Sequence, residues 1–356
     1  VFSWRDVPVA LTGHTGFKGA WLCEWLLRAG AKVSGLALPP EGEHNLFSSL
    51  RLGERMTSTY GDVRDRAVVN AWLAQSAPAV VFHLAAQALV LRSVDDPVGT
   101  YATNVMGTVH VLDAIRRTPS VRAAVIVTSD KCYENGGWDW PYRESDPMGG
   151  KDPYSSSKGA AELAVSAFRR TYLGDRVAVA TARAGNVIGG GDWSQDRIVP
   201  DIVRALVAGR EPVLRFPGAV RPWQHVLDAL SGYVLLAERL GSDPAAATGW
   251  NFGPAETSVR TVAELTERFL AAWGERPALA YDAHGAEHDA PALRLDSSRA
   301  RLRLGWRPRL EFEEAIDWSA RWYHDWHAGR DVAAITHEQL ARYAAAAAAP
   351  VAARPS

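Results

Sequence analysis

The stretch PVALTGHTGFKGAWL, residues 8–22, decides the fold. A short apolar run over 8–12 stops at a turn that carries Gly13, Gly16 and Gly19 at regular intervals. Beyond the turn, Trp21, Leu22, Trp25 and Leu26 recur at helical spacing, so residues 19–29 read as a helix. Strand, glycine turn and helix in this order form a phosphate cradle. Gly13 permits a tight turn, Gly16 lets a pyrophosphate approach the backbone, and Gly19 allows close helix packing. The helix N-terminus adds unpaired N–H groups and partial positive charge. Thr15, Phe17 and Lys18 complete the candidate cofactor loop. The spacing is G-x-x-G-x-x-G rather than G-x-G-x-x-G, and an ordinary strand-to-helix turn is the alternative reading.

Outward from this loop, strand patterns at 32–38, 79–86, 123–128 and 177–182 alternate with helical ones ending near 78 and spanning 103–117 and 154–172. Such alternation predicts an α/β fold built on a Rossmann-type doubly wound parallel sheet. After Asn186 the character changes to a glycine-rich loop, a helix over 198–209, another within RPWQHVLDALSGYVLLAERL and a short strand in GWNFGP. The expected organisation is a cofactor domain over 1–185 to which 221–254 return. A smaller, mostly helical C-terminal substrate domain takes 186–220 and 255–330. Residues 331–356 are expected to form a helix that frays in its alanine run and a disordered tail.

Composition narrows the function. The 356 residues are 47% hydrophobic and 22% charged with a formal net charge of −1, which fits a globular protein and gives no basis for binding nucleic acid or an anionic membrane. No apolar run approaches the roughly 20 residues that span a bilayer, and residues 1–7 lack the apolar core of a signal peptide. Cys23 and Cys132 make neither a disulfide framework nor a metal site, and the histidines are scattered without ligand spacing. No metal is expected, and a reduced, cytoplasmic setting fits best.

Other residues carry chemistry. In VIVTSDKCYEN, residues 125–135, a buried strand gives way to Ser129, Asp130 and Lys131, a hydroxyl, an acid and an amine in succession. In YSSSK, Tyr154 and Lys158 stand four apart and share one helix face. An ammonium beside the phenol is expected to lower its pKa and make Tyr154 a base towards a sugar or alcohol hydroxyl. The dinucleotide reading predicts an acid at the end of the second strand for the adenosine ribose, and VSGLALPPEGEHN has none there, which leaves NAD against NADP open. Asp62, followed by Val63, either meets the adenine edge or caps the next helix.

Gly13-x-x-Gly16-x-x-Gly19, HLAAQ, Tyr154-x-x-x-Lys158 and RAGNVIGGGDW in this order resemble the extended short-chain dehydrogenases/reductases that act on nucleotide sugars. TGHTGFKG, TSDKCYEN, NVIGGGDW and RPWQHVLD together resemble the CDP-glucose 4,6-dehydratases, and the likeness runs from about residue 7 to about residue 326. The resemblance implies a hydro-lyase that converts CDP-glucose to CDP-4-keto-6-deoxyglucose and water, with NAD taking a hydride from C4 and returning it to C6. Tyr154 would deprotonate the sugar 4-hydroxyl, with Ser129 on the same oxygen and Lys158 on the nicotinamide ribose. Asp130 would serve as acid at the 6-hydroxyl, and Lys131 as base at C5 in place of the glutamate of dTDP-sugar dehydratases. Lys131 paired with Asp130 or a phosphate is the competing role. Leu84, Ala85, Ala86, Gln87 and Asn104 would lie along the cofactor, Gln87 also near the sugar and Asn104 fixing the loop backbone. Asn186, Asp192, Trp193, Arg197, Arg221 and His225 would line the nucleotide-sugar side, Arg221 and His225 at the diphosphate. A homo-oligomer, dimer or tetramer, is implied as well. A 4-epimerase or a dTDP-, GDP- or UDP-linked dehydratase is the alternative, with a non-catalytic dinucleotide sensor behind it.

Overall fold

In the computed structural model, which describes residues 2–174, 176–274, 280–281 and 293–348, the glycine turn follows the central strand of a parallel sheet. The strands are β1 (Pro8–Thr12), β2 (Lys32–Ala37), β3 (Thr57–Tyr60), β4 (Val80–His83), β5 (Ala123–Val127), β6 (Ala178–Arg183), β7 (Asn186–Ile188), β8 (Val213–Leu214), β9 (Val220–His225), β10 (Gly249–Asn251), β11 (Val259–Thr261) and β12 (Ala280–Tyr281). The main sheet runs β10-β6-β5-β4-β1-β2-β3, every pair parallel. Strand order reverses between β1 and β4, and the crevice at the carboxyl ends there is where such folds bind ligands.

The helices are α1 (Phe17–Arg28), α2 (Leu46–Ser49), α3 (Arg66–Ser76), α4 (Val90–Asp95), α5 (Pro97–Tyr101), α6 (Gly107–Arg117), α7 (Pro153–Phe168), α8 (Ile198–Val207), α9 (Val226–Leu240), α10 (Val262–Trp273), α11 (Phe312–His327) and α12 (Val332–Ala348). Side chains alternate along each strand, so both sheet faces are apolar. Val9, Leu11, Phe82 and Val125 join a core with residues of α1, α9, α11 and α12. Ala10, Val81, Ala124 and Ile126 face α3, α6 and α7.

The structure departs from the sequence reading in several places. The strand expected over 79–86 ends at His83. The helix expected over 103–117 is interrupted by a π turn, Ala102–Met106, and that over 154–172 closes in another, Arg169–Leu173. A three-stranded sheet, β11-β9-β7, was hidden because Pro222 lies in its central strand, where proline ordinarily argues against one. Within the described residues the alanine run is ordered helix to Ala348, anchored where the Tyr343 hydroxyl donates to Asp228 Oδ1 at 2.6 Å. The tail over 349–356 and the segments 275–279 and 282–292 of the expected substrate region lie outside the described residues. No described helix is long and apolar enough to cross a membrane.

Three imidazoles are sealed into this core. Burial pushes His14 down to about 4, and His83 and His225 down to about 3. Each is neutral when folded and takes up a proton near pH 6.5 once unfolded. The unfolded chain therefore binds more protons below that pH, and stability falls as pH falls. The cost reaches on the order of 2 kcal/mol per imidazole by pH 5. Asp228, pushed up to about 6 by burial, works in the opposite sense, as do Glu144 and Glu238, both raised by burial, and together they offset part of this cost. Urea unfolding is expected to show a markedly lower midpoint at pH 5 than at pH 7.5. An unchanged midpoint would mean that these rings are solvated.

Candidate active site

The cleft is assembled from three strand ends and two helix starts. At the first strand end, Gly13 has φ +77°, and a Cβ there would lie 2.8 Å from the Ala85 backbone nitrogen. A Cβ on Gly19 would sit 2.0 Å from the Gly13 carbonyl oxygen, so the helix packs on the turn only through glycine. A Cβ on Gly16 would meet nothing closer than 3.5 Å, which leaves its outer side open. The N-terminus of α1 has no side-chain cap and no acidic residue in its first turn. An uncapped N-terminus with clear space before it suits a pyrophosphate.

At the end of β5 the chain turns through a short 3-10 segment, Asp130–Cys132, capped by Ser129, whose Oγ accepts from the Lys131 backbone N–H at 3.2 Å. Asp130 is buried. Its Oδ1 accepts from the Ser129 hydroxyl at 2.8 Å and from the Lys131 backbone N–H at 2.8 Å. Its Oδ2 has no partner among the described residues and lies where a Cβ on Gly185 would approach to 2.8 Å. The Lys131 side chain is half-buried and makes no ion pair among the described residues. Of its two competing roles, pairing with Asp130 is therefore absent here.

Facing this turn is α7. Asp152 caps it, accepting from the Ser155 N–H at 2.9 Å, and Pro153 opens it. Ser93 Oγ accepts the Tyr154 N–H at 3.1 Å. Tyr154 and Lys158 are both buried, with Lys158 Nζ 5.9 Å from the tyrosine ring centroid. The expectation of a lowered phenol pKa does not hold for the protein alone. Burial pushes Tyr154 up to about 12, with a hydrogen bond to Ser129 lowering it and the charge of Asp130 raising it. Desolvation is the largest influence on the phenol, and it also pushes the Lys158 ammonium down to about 8.

Lys18 also reaches this cleft. Burial, with Arg197 and Lys158 as like charges, pushes it down to about 7, while Asp130 and Asp192 act in the opposite direction. Its ammonium lies 6.0 Å from the ring of Tyr233, whose buried hydroxyl has no partner among the described residues. Tyr233 escaped sequence analysis because it belongs to a helical apolar stripe. Among the described residues no cluster of three or more His, Cys, Asp or Glu side chains has a metal-binding arrangement.

Residues 11–318 match the family model described as GDP-mannose 4,6 dehydratase. The chain belongs to the GDP-mannose 4,6 dehydratase family. This family member is 43% identical to a CDP-glucose 4,6-dehydratase of Salmonella typhimurium over 96% of its own length and 98% of that protein's. It is 32% identical to a UDP-glucose 4-epimerase of Mycolicibacterium smegmatis over 86% and 95% of the two chains. A dTDP-glucose 4,6-dehydratase of Streptomyces venezuelae, solved with NAD bound, superposes with a TM-score of 0.76 at 25% identity, covering 91% and 98%.

In this GDP-mannose 4,6 dehydratase family member several residues expected to touch ligands are occupied otherwise. The Gln87 amide donates to Leu89 O and Thr100 Oγ1 and accepts from the Leu89 N–H, so its side chain braces its own loop. Asn104 does fix that loop, accepting from the Gln87 N–H and donating to Gln87 O and Ser157 Oγ. Thr15 Oγ1 donates to Leu38 O. Asp62 pairs with Arg64 at 2.6 Å, and the cap of α3 is Asp65 rather than Asp62. His225 is a correction too. It is wholly buried, its Nδ1 accepts from the Leu227 N–H to cap α9 and its ring packs on Trp318, while Nε2 has no partner among the described residues, so the side chain is not displayed at an open cleft. Asp192 is buried and holds Arg197 at 3.3 Å. Trp193 sits in an aromatic cluster with His44, Tyr323 and Trp326. Asn186 and Arg221 are half-buried, on β7 and β9 of the small sheet, and Val63 is buried.

Proposed function

We propose that this protein is a CDP-glucose 4,6-dehydratase that uses NAD and releases CDP-4-keto-6-deoxyglucose and water. The observation that carries the reading is the Ser129–Asp130–Lys131 turn facing the Tyr154–Lys158 pair, in a chain so similar to the Salmonella enzyme along nearly its whole length. A 4-epimerase needs the tyrosine, the lysine and a hydroxyl, but it has no use for an acid and an amine beside them. Bound NAD would supply the hydride acceptor for C4 and the hydride donor for C6. Gly13, Gly16, Gly19 and the start of α1 would hold its pyrophosphate, with Lys158 at the nicotinamide ribose. Tyr154 accepts the 4-hydroxyl proton while Ser129 orients that oxygen. Lys131, acting as the neutral amine, takes the C5 proton and gives it back as hydride reaches C6, and the carboxylic acid of Asp130 protonates the departing 6-hydroxyl through Oδ2, which has no partner among the described residues.

Under this reading residues 1–185 and 221–254 form the cofactor domain, and 186–220 with 255–330 form the domain that binds the nucleotide sugar. Leu91, Val98 and Leu163, exposed by 51%, 78% and 63% on α4, α5 and α7, are assigned to contact with a second copy of the chain. The two buried free cysteines suit a reduced, cytoplasmic setting.

Incubation with NAD and, in turn, CDP-, dTDP-, UDP- and GDP-linked hexoses tests the proposal. A 4-keto-6-deoxy product is expected with CDP-glucose. Turnover confined to another nucleotide would sink the specificity but keep the class, and epimer formation without water loss would favour the 4-epimerase.

A further inference from the structure

We infer that the buried Glu162–Arg183 pair positions the Asp130–Lys131 turn against Tyr154 and Lys158, so that water loss follows oxidation in one fixed geometry. The inference rests on the dehydratase reading above. Glu162 continues the series Tyr154, Lys158 along one face of α7, four residues further on. It meets Arg183 of β6 at 2.7 Å, and both side chains are 5% exposed.

Four directional donors hold this carboxylate. Thr128 Oγ1 and Arg183 Nε donate to Oε1 at 2.5 and 2.9 Å, and Thr181 Oγ1 and Arg183 Nη2 to Oε2, both at 2.7 Å. Thr128 directly precedes Ser129. On the other side of the turn, Tyr133 directly follows Cys132, and its hydroxyl accepts from Arg183 Nη1 at 2.6 Å and donates to Asn251 at 2.7 Å. One ion pair therefore ties both ends of the turn to the helix that carries the redox residues.

Glycines remove the slack. A Cβ on Gly159, next to Lys158, would lie 2.8 Å from the Gly149 carbonyl oxygen and 3.1 Å from that of Cys132, so the turn rests on the helix backbone. A Cβ on Gly249 would come within 2.4 Å of Arg183 Nη2. Apolar side chains of similar volume often stabilise a core as well as a buried ion pair does. What they cannot supply is four fixed donor directions. Reacting groups misplaced by about 1 Å lose on the order of a hundredfold in rate.

The test uses the full chain with Tyr133→Phe, Thr128→Val and Glu162→Gln. Cofactor reduction by CDP-glucose in a single turnover reads the first step, and solvent deuterium at C5 reads the second. Amide hydrogen exchange over residues 128–134, without sugar, reads the turn itself. Cofactor reduction is expected within about threefold of the parent, C5 exchange about tenfold slower or worse, and the turn amides less protected. Equal losses in both steps, or a lower melting temperature with the ratio of steps unchanged, would overturn the inference. If Glu162→Gln does not fold, the two milder variants decide. Unchanged amide protection in Tyr133→Phe overturns it even if the parent turns over no CDP-glucose. That lack of turnover alone would sink only the dehydratase reading.

Discussion

Tyr154→Phe is expected to lower turnover by about 10²- to 10⁴-fold, the range for losing a positioned proton acceptor, with cofactor affinity little changed. The phenol is close enough to Ser129 for that side chain to lower its pKa, the Lys158 ammonium lies 5.9 Å from the ring, and phenylalanine keeps the ring and its packing. The structure adds a pH signature. Burial holds the phenol at about 12 in the protein alone. Proton removal near neutral pH then requires added positive charge beside the ring, which oxidised NAD brings on binding. Ultraviolet titration of tyrosinate should show no ionisation of Tyr154 below about pH 11 without cofactor and a lower value with it. The difference between parent and Tyr154→Phe isolates this residue from the other tyrosines. Turnover within tenfold of the parent would remove Tyr154 from the proton-transfer role.

The second large effect is expected at the turn. Lys131→Ala and Asp130→Asn should leave C4 oxidation measurable in a single turnover and slow product formation by about 10²- to 10⁴-fold. Their signatures differ. Lys131→Ala should lose solvent-deuterium incorporation at C5, because the amine is the proposed base. Asp130→Asn should retain some exchange but fail to expel the 6-hydroxyl, because an amide cannot donate an acidic proton. Asparagine is nearly isosteric with aspartate, so the bonds from the Ser129 hydroxyl and the Lys131 N–H at Oδ1 survive, and a loss there reports chemistry. Retained C5 exchange in Lys131→Ala would return that lysine to a phosphate-binding role.

Much of the molecule is legible along the chain. Gly13 and Gly19 announce their backbone because no other residue fits a left-handed turn or a 2.0 Å approach. Alternation of strand and helix signals gives the parallel sheet, because periodicity is a local property. Tyr154 and Lys158 declare a shared face for the same reason. Harder to see was the small sheet, whose strands of three to six residues include a proline. Gln87 braces its own loop and His225 is sealed at the start of α9, with its Nδ1 capping the helix. A polar residue in a motif looks alike whether it faces a ligand or braces a turn, and only the positions of its neighbours separate the two.

The order of residues thus settled the fold class, the glycine turn after β1, the shared helix face of Tyr154 and Lys158 and the presence of an acid and an amine after β5. Each follows from spacing within a dozen residues, where helix and strand periods dictate which side chains share a face. Long-range packing decided the rest. Burial, which brings Tyr154 among Ser93, Ser129, Arg197 and Tyr233 from distant segments, set its pKa against the direction that its lysine neighbour alone implies. Glu162 and Arg183 stand 21 residues apart, yet they meet beneath the turn because α7 and β6 pack there. Desolvation and convergence depend on the whole fold, so no local spacing reveals them.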